Sequence, residues 1–347
     1  MNGQNPDKQS HEGSSASLRD SISELLGADL AAVNQRLHGQ LQSSHPYMAE
    51  VLQHASQFRG KQIRPVLLLL CQQSLSKSSN DNAHTLAAVV EMIHTATLIH
   101  DDIIDEATTR RHLGTINSVW NRETGVLLGD YLFSRAFRLA ASTGDAVACE
   151  LIGRATDRTC AGELHQTATR REMSRSERDY FRVIRGKTGQ LFGLSCRLGV
   201  RAAGADDSMQ SQLETAGIEL GMAFQIADDL LDLTGEQTET GKDSGNDLVN
   251  HRLTLPLLRA YEFAAPSHRE ELDEILAAAD SRAENVSTND VRQRLVQHLA
   301  IQQGIESARQ TGEQLISRFT HRTRLLPESK ARHLLDAIAA FAVRRNS

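Results

Sequence analysis

The chain has 347 residues, 39% hydrophobic and 24% charged, with a formal net charge of −6. That is the composition of an ordinary globular protein, and its negative balance argues against a nucleic-acid footprint, which would be basic. Four cysteines (Cys71, Cys149, Cys160 and Cys196) lie far apart without Cys-x-x-Cys spacing, which fits buried thiols in a reducing compartment better than a disulfide frame or a zinc site.

In chain order, residues 1–16 are rich in Gly, Ser, Asn and Gln and are expected to form a disordered tail. They have neither a basic start nor an apolar core, so no signal peptide is expected. No apolar run reaches the roughly 18 residues of a membrane span, and a cytoplasmic protein is the expectation. From residue 17 on, helical periodicity dominates. Leu18 and, within 19–38, Ile22, Leu25, Leu26, Leu30 and Val33 recur at threes and fours. Segments 84–105, 125–142, 145–166, 176–200, 208–233, 252–263 and 268–280 read the same way, as do stretches near 289–318 and 328–344. Pro6, Pro46, Pro65, Pro256, Pro266 and Pro327 fall at boundaries, and so few breakers favour long helices. Strand signals are nearly absent. The pattern predicts an all-α fold, one domain over 17–347 with ten or more mostly antiparallel helices. The long, charged, Gly-bearing loop 234–247 has the character of a lid.

Two stretches carry chemistry. Residues 98–105 read LIHDDIID and residues 226–233 read IADDLLDL. On a helix Asp101 and Asp105 share a face, with Asp102 about 100° round; Asp228, Asp229 and Asp232 repeat the pattern. One Asp-Asp-x-x-Asp alone is as often a solvated acidic face. Here the helix around the first cluster is apolar on nearly every side, and bare carboxylates clustered there call for cations. Hard oxygen ligands without a His/Cys set point to Mg²⁺. Magnesium takes one or two carboxylates plus substrate phosphates, so two facing acidic walls would clamp a diphosphate. Basic residues stand near Gly and Pro punctuation to meet it: Lys61 and Arg64 in RGKQIRP, Arg110 and Arg111, Lys187 beside Thr188 in RGKTGQ, and Lys242 in the long loop.

HTATLIHDDIIDEATTRR (94–111) and GMAFQIADDLLDLTG (221–235) together resemble the two aspartate-rich motifs of the head-to-tail trans-polyprenyl diphosphate synthases, in a match covering about residues 45–260. The resemblance implies an isoprenoid-synthase-type bundle around a central cavity. It also implies condensation of isopentenyl diphosphate with an allylic diphosphate, farnesyl or geranylgeranyl. Asp101 and Asp105, with Asp102 behind them, would bind Mg²⁺ on the allylic diphosphate. Asp228 would bind a further Mg²⁺, supported by Asp229 and Asp232, for three ions in all, with Mn²⁺ as a substitute. Lys61, Arg64, His94 and Arg111 match positions on the isopentenyl side. Arg110, Lys187, Thr188, Gln225 and Lys242 match the allylic side, where Thr188 and Gln225 would offer oxygens to the carbocation. The family is usually homodimeric. Three departures add charge: Arg59 replaces a glycine, Asp243 follows Lys242 where proline is common, and His251-Arg252 replaces Gly-Lys.

In this family the residues four and five before the first Asp set the tunnel floor. Here they are Thr97 and Ala96, the latter about 7.5 Å deeper along the helix. Small side chains there favour a long product of about C30–C40, of the kind used for quinone side chains, with Phe133 and Phe137 as candidates for the eventual floor. Three other readings remain: a C20–C25 synthase, a terpene cyclase of the same fold, and a non-catalytic partner subunit, which should have lost aspartates. A di-metal oxygenase would need two Glu-x-x-His motifs, and Glu91–His94 supplies one.

Overall fold

The computed structural model describes residues 6–58, 60–76, 78–172, 175–235, 245–249, 252–280 and 288–344. Helices α1 (Pro6–Gln40), α2 (Pro46–Ala55) and α3 (Ile63–Leu75) lead to α4 (Asp81–Ile104). A two-residue ladder, β1 (Thr109–Arg110) and β2 (Leu113–Gly114), follows, then α5 (Ile116–Val119), α6 (Arg122–Ala141), α7 (Ala146–Glu172) and α8 (Glu177–Ile184). One π turn, Arg185–Gly189, joins α8 to α9 (Gln190–Ala202). The rest is α10 (Asp207–Thr234), α11 (Asn246–Val249), α12 (Leu255–Phe263), α13 (Pro266–Asp280), α14 (Thr288–Gln297), α15 (Leu299–Thr323) and α16 (Lys330–Arg344).

The helix starts are written locally. Asn80, Asn121, Ser176 and Asp206 accept from the backbone N–H three residues on, satisfying donors a helix start leaves open. Pro46 and Pro266 are first residues of their helices, where the missing N–H is harmless. The all-α expectation holds. Helix α3 was not anticipated: Arg64 through Gln72 are all buried, so the stretch has no polar face and no period to read. Helix α1 begins at Pro6, inside the stretch expected to be a tail. The stretch near 289–318 is two helices, with His298 capping α15.

Helix α10 packs against α9 and α15, α3 against α9, and α4 against α6. Three apolar clusters result. The largest joins α1, α3, α4 and α9; a second gathers α10 with α12 to α15; a third lies where α2, α5 and α6 meet the C-terminal half of α4. Among the described residues no helix is long and apolar enough to cross a membrane.

Candidate active site

The first aspartate cluster occupies the last turn of α4. The helix closes with the Asp105 N–H on the Asp101 carbonyl at 2.8 Å. It stops where Glu106 turns to φ 51°. The chain returns through the β1–β2 hairpin, whose two turn residues, Arg111 and His112, have φ of 51° and 64°. Two left-handed residues are what a type I′ hairpin turn requires, usually met with Asn-Gly. This turn aims two arginines. Arg110 closes on Asp102 as a two-pronged pair, Nε to Oδ1 and Oδ2 at 3.0 and 2.9 Å and Nη2 to Oδ1 at 2.8 Å. Burial raises the Asp102 carboxyl and Arg110 works against it. Asp102 therefore holds an arginine, and Arg110, expected on the allylic diphosphate, has this carboxylate as its partner.

Arg111 reaches the other way. Its guanidinium covers Gly60, where an added Cβ would meet Nη2 at 2.6 Å, and its Nη1 donates to the Phe58 carbonyl at 3.5 Å. Lys61 is exposed just beyond, and Arg64 is buried one step into α3. The Arg64 guanidinium lies 5.0 Å from the Phe192 ring centroid, with Nε lacking a partner. Burial pulls it down to about 10 while Glu91 pulls it up. Glu91 is raised by burial, opposed by Arg64 and Arg111, and one of its oxygens also lacks a partner. His94, one turn on, falls well below its usual value through burial and then through Arg64, Arg110 and Arg111. A neutral imidazole thus stands near three guanidiniums.

The second constellation depends on glycines. A Cβ on Gly162 of α7 would meet Lys187 N at 2.8 Å and Gly186 Cα at 2.9 Å; the helix and the π turn touch backbone to backbone. π turns of this sort are frequent at functional sites. Here the turn puts Lys187 Nζ 3.2 Å from Asp101 Oδ2 and 3.0 Å from Glu163 Oε2. Burial acts to lower Lys187, but Asp101 and Glu163 outweigh it and leave it raised. Glu163 is pushed up to about 7 by burial and by Asp101. On the other side, Gly189 meets Gly221 of α10 with no room for a Cβ, 2.9 Å from Cα. That approach lets Thr188 Oγ1 donate to Gln225 Oε1 at 2.8 Å. Gln225 Nε2 donates to Asp229 Oδ1 at 2.8 Å, and Tyr180 donates to Asp229 Oδ2 at 2.6 Å.

Asp228 is exposed, Asp232 half-buried and Asp229 buried. Asp232 Oδ2 accepts from the Asp247 N–H at 3.0 Å. The Asp247 carboxylate stands 3.7 Å from Arg252 Nη1, and Arg252 Nη2 donates to Asp105 Oδ1. With its oxygen turned toward Arg252, the Gln166 amide accepts from Nε at 2.8 Å. Arg252 therefore joins the first aspartate cluster to Asp247, whose backbone N–H in turn meets the second cluster at Asp232, and Lys187 ties the first to α7. Asp247 is pushed up to about 6 by burial and by Asp232. Glu163, Gln166, Asp247, Arg252 and Tyr180 were not anticipated as partners. A carboxamide three residues after a carboxylate at an in-helix glycine, GELHQ, was the available signal for the first two.

Thr97 is half-buried, its hydroxyl on the His94 carbonyl at 2.8 Å. Ala96 is fully enclosed in the α2–α6 cluster. Phe133 packs against that cluster, whereas Phe137 is 38% exposed. Lys242, Arg59, Asp243 and His251 lie outside the described residues.

The donors fit a hard divalent cation. Asp101, Asp105 and Asp228 offer only oxygen, and the side chains of Asp101 and Asp105 keep 14% and 22% exposure, so solvent ions reach them. Among the described residues no three His, Cys, Asp or Glu side chains converge into a ready cage.

The model of the family described as polyprenyl synthetase matches residues 45–292. Heptaprenyl diphosphate synthase component 2 of Geobacillus stearothermophilus is 32% identical over 93% of this chain and 97% of its own. The structure of a decaprenyl diphosphate synthase from Rhodobacter capsulatus aligns with TM-score 0.85 at 33% identity, covering 94% of this chain and 99% of that one. A polyprenyl synthase from Caulobacter crescentus, complexed with calcium and isoprenyl diphosphate, aligns with TM-score 0.84 at 30% identity, covering 94% and 98%. The two aspartate clusters, the cations paired with the first and this similarity along nearly the whole length lead to one conclusion: the chain belongs to the polyprenyl synthetase family.

Proposed function

We propose that the chain condenses isopentenyl diphosphate with an allylic diphosphate, farnesyl or geranylgeranyl, in successive Mg²⁺-dependent head-to-tail steps. The product is a long all-trans polyprenyl diphosphate of about C30–C40, suited to a quinone side chain. The observation that carries this reading is the pair of cations, Lys187 on Asp101 and Arg252 on Asp105, beside a separate basic group of Arg64, Arg111 and His94. Two anionic substrates need two such places.

Asp101, Asp105 and Asp228 would hold Mg²⁺, with Lys242 on the same diphosphate. When bound, the ions neutralise charge that builds on the departing diphosphate. Lys187 and Arg252, already at the carboxylates, add fixed positive charge where that negative charge develops. Arg64 and Arg111 hold the isopentenyl diphosphate, and neutral His94 donates to it without adding charge. Thr188 and Gln225 turn oxygens toward the allylic carbocation. The isopentenyl double bond attacks that carbon, a C–C bond forms, and the proton then lost passes to the released diphosphate. Relatives named for heptaprenyl to decaprenyl products support a long product.

We place the protein in the cytoplasm as a homodimer. Val126 and Leu127 on α6 and Val119 on α5, between 43% and 67% exposed, support an interface there. The test is incubation with Mg²⁺, farnesyl diphosphate and labelled isopentenyl diphosphate. Label in a ladder of long polyprenyl products is expected. No incorporation overturns the reading, and a C20–C25 end point overturns the long-chain part.

A further inference from the structure

We infer that Tyr180 is a positioning residue for the condensation: through Asp229 it fixes which end of the Gln225 amide faces the allylic carbocation. The inference rests on the proposed function and goes beyond it by naming what sets the sign of the local dipole.

Tyr180 sits on α8, seven residues before Lys187, and is 9% exposed. Its hydroxyl donates to Asp229 Oδ2 at 2.6 Å. Asp229 is 4% exposed, and its other oxygen, Oδ1, accepts from Gln225 Nε2 at 2.8 Å. Burial pushes the Asp229 carboxyl well above its usual range, and the hydrogen bonds from Tyr180 and Gln225 work against that rise; both of its oxygens accept here, so the Gln225 end that faces it is the NH₂. The amide oxygen is thereby turned the other way, where it takes the Thr188 hydroxyl proton at 2.8 Å. Thr188, having donated its only proton, keeps its lone pairs free. Four side chains on three elements thus form one directed chain in which both groups at the Thr188 end present negative dipole.

That direction matters because an amide is symmetric in shape and opposite in charge at its two ends. With Asp229 displaced, Gln225 would rotate and aim N–H groups at the carbocation, turning a stabilising dipole into a repulsive one. The phenol of Tyr180 is the one side chain seen donating to the far oxygen of Asp229 among the described residues. A buried hydrogen bond to a carboxylate from a rigid ring is a strong positional constraint. Removing the hydroxyl while keeping the ring leaves the packing of α8 intact and frees Asp229 to turn.

The test is Tyr180→Phe in the full chain, assayed with Mg²⁺, farnesyl diphosphate and labelled isopentenyl diphosphate. A fall in kcat of roughly ten-fold is expected, with the KM for isopentenyl diphosphate unchanged and the thermal midpoint lowered only modestly, by the one buried hydrogen bond lost. Gln225→Leu and the double variant complete a cycle. If Tyr180 acts through Gln225, the double variant is no slower than Gln225→Leu alone. Wild-type turnover in Tyr180→Phe overturns the inference, as do losses that simply multiply in the double variant. An active wild-type chain with either result sinks the inference alone; a wild-type chain that incorporates no label sinks the proposed function and this inference with it.

Discussion

Lys187 Nζ lies 3.2 Å from Asp101 Oδ2, joining the π turn to the end of α4. The same amine touches Glu163, so one cation compensates two carboxylates. Lys187→Met removes the charge and leaves the carboxylates facing each other. An electrostatic donor lost at the developing charge typically lowers turnover about 100-fold, and kcat/KM for the allylic diphosphate is expected to fall by that order. Steady-state kinetics with the allylic substrate varied measures it.

Helix α7 contains a matched pair of glycines. Gly153 has nothing within 4 Å of an added Cβ, whereas Gly162 meets the backbone of Gly186 and Lys187 below 3 Å. Gly153→Ala is expected to stabilise by about 0.5–1 kcal/mol through helix propensity. Gly162→Ala forces α7 off the π turn, with a loss of about 1–3 kcal/mol and of Lys187 placement. Urea unfolding reads the first effect, and activity reads the second.

His94 gives a pH signature. Folding holds it well below 6.5, while the unfolded chain titrates near about 6.5. Below that pH the unfolded state binds a proton that the folded state refuses, so stability falls as the solution is acidified through 6.5. In His94→Gln this contribution is absent. The stability of the variant relative to wild type is expected to rise by about 1.4 kcal/mol per pH unit below that point. Denaturation midpoints from pH 8 to 5 decide it.

Ala96 and Thr97 separate two consequences of bulk. Ala96 is enclosed with Val51, Leu52, Leu128 and Leu132, and Thr97 is half-buried on the Asp101 face of α4. Ala96→Phe and Thr97→Phe are both expected to shorten the product ladder on thin-layer chromatography. Ala96→Phe also overfills its cluster, which costs about 1–3 kcal/mol; Thr97→Phe leaves the unfolding midpoint near that of wild type.

The aspartates were readable because a helix turns neighbours four apart onto one face, a relation contained in eight residues. The long periodic helices were readable for the same reason. Arg252 on Asp105 was not: 147 positions separate them, and no spacing rule spans that distance. Tyr180 on α8 and Asp229 on α10 are 49 apart, again beyond any spacing rule. Nor does a sequence reveal that Arg110 turns back on Asp102, since that follows from two left-handed residues that are not glycine. Helix α3 escaped notice because its burial is uniform.

The hairpin that aims Arg110 and Arg111 holds two side-chain-bearing residues, Arg111 and His112, in the left-handed region. Each such residue costs on the order of 1 kcal/mol, and glycine at His112 would relieve half of it. The turn is therefore a place where durability and activity pull apart. A directed-evolution campaign scored on heat tolerance alone would be drawn to these two codons, and wherever it replaced Arg111 it would recover a sturdier protein without the guanidinium that covers Gly60.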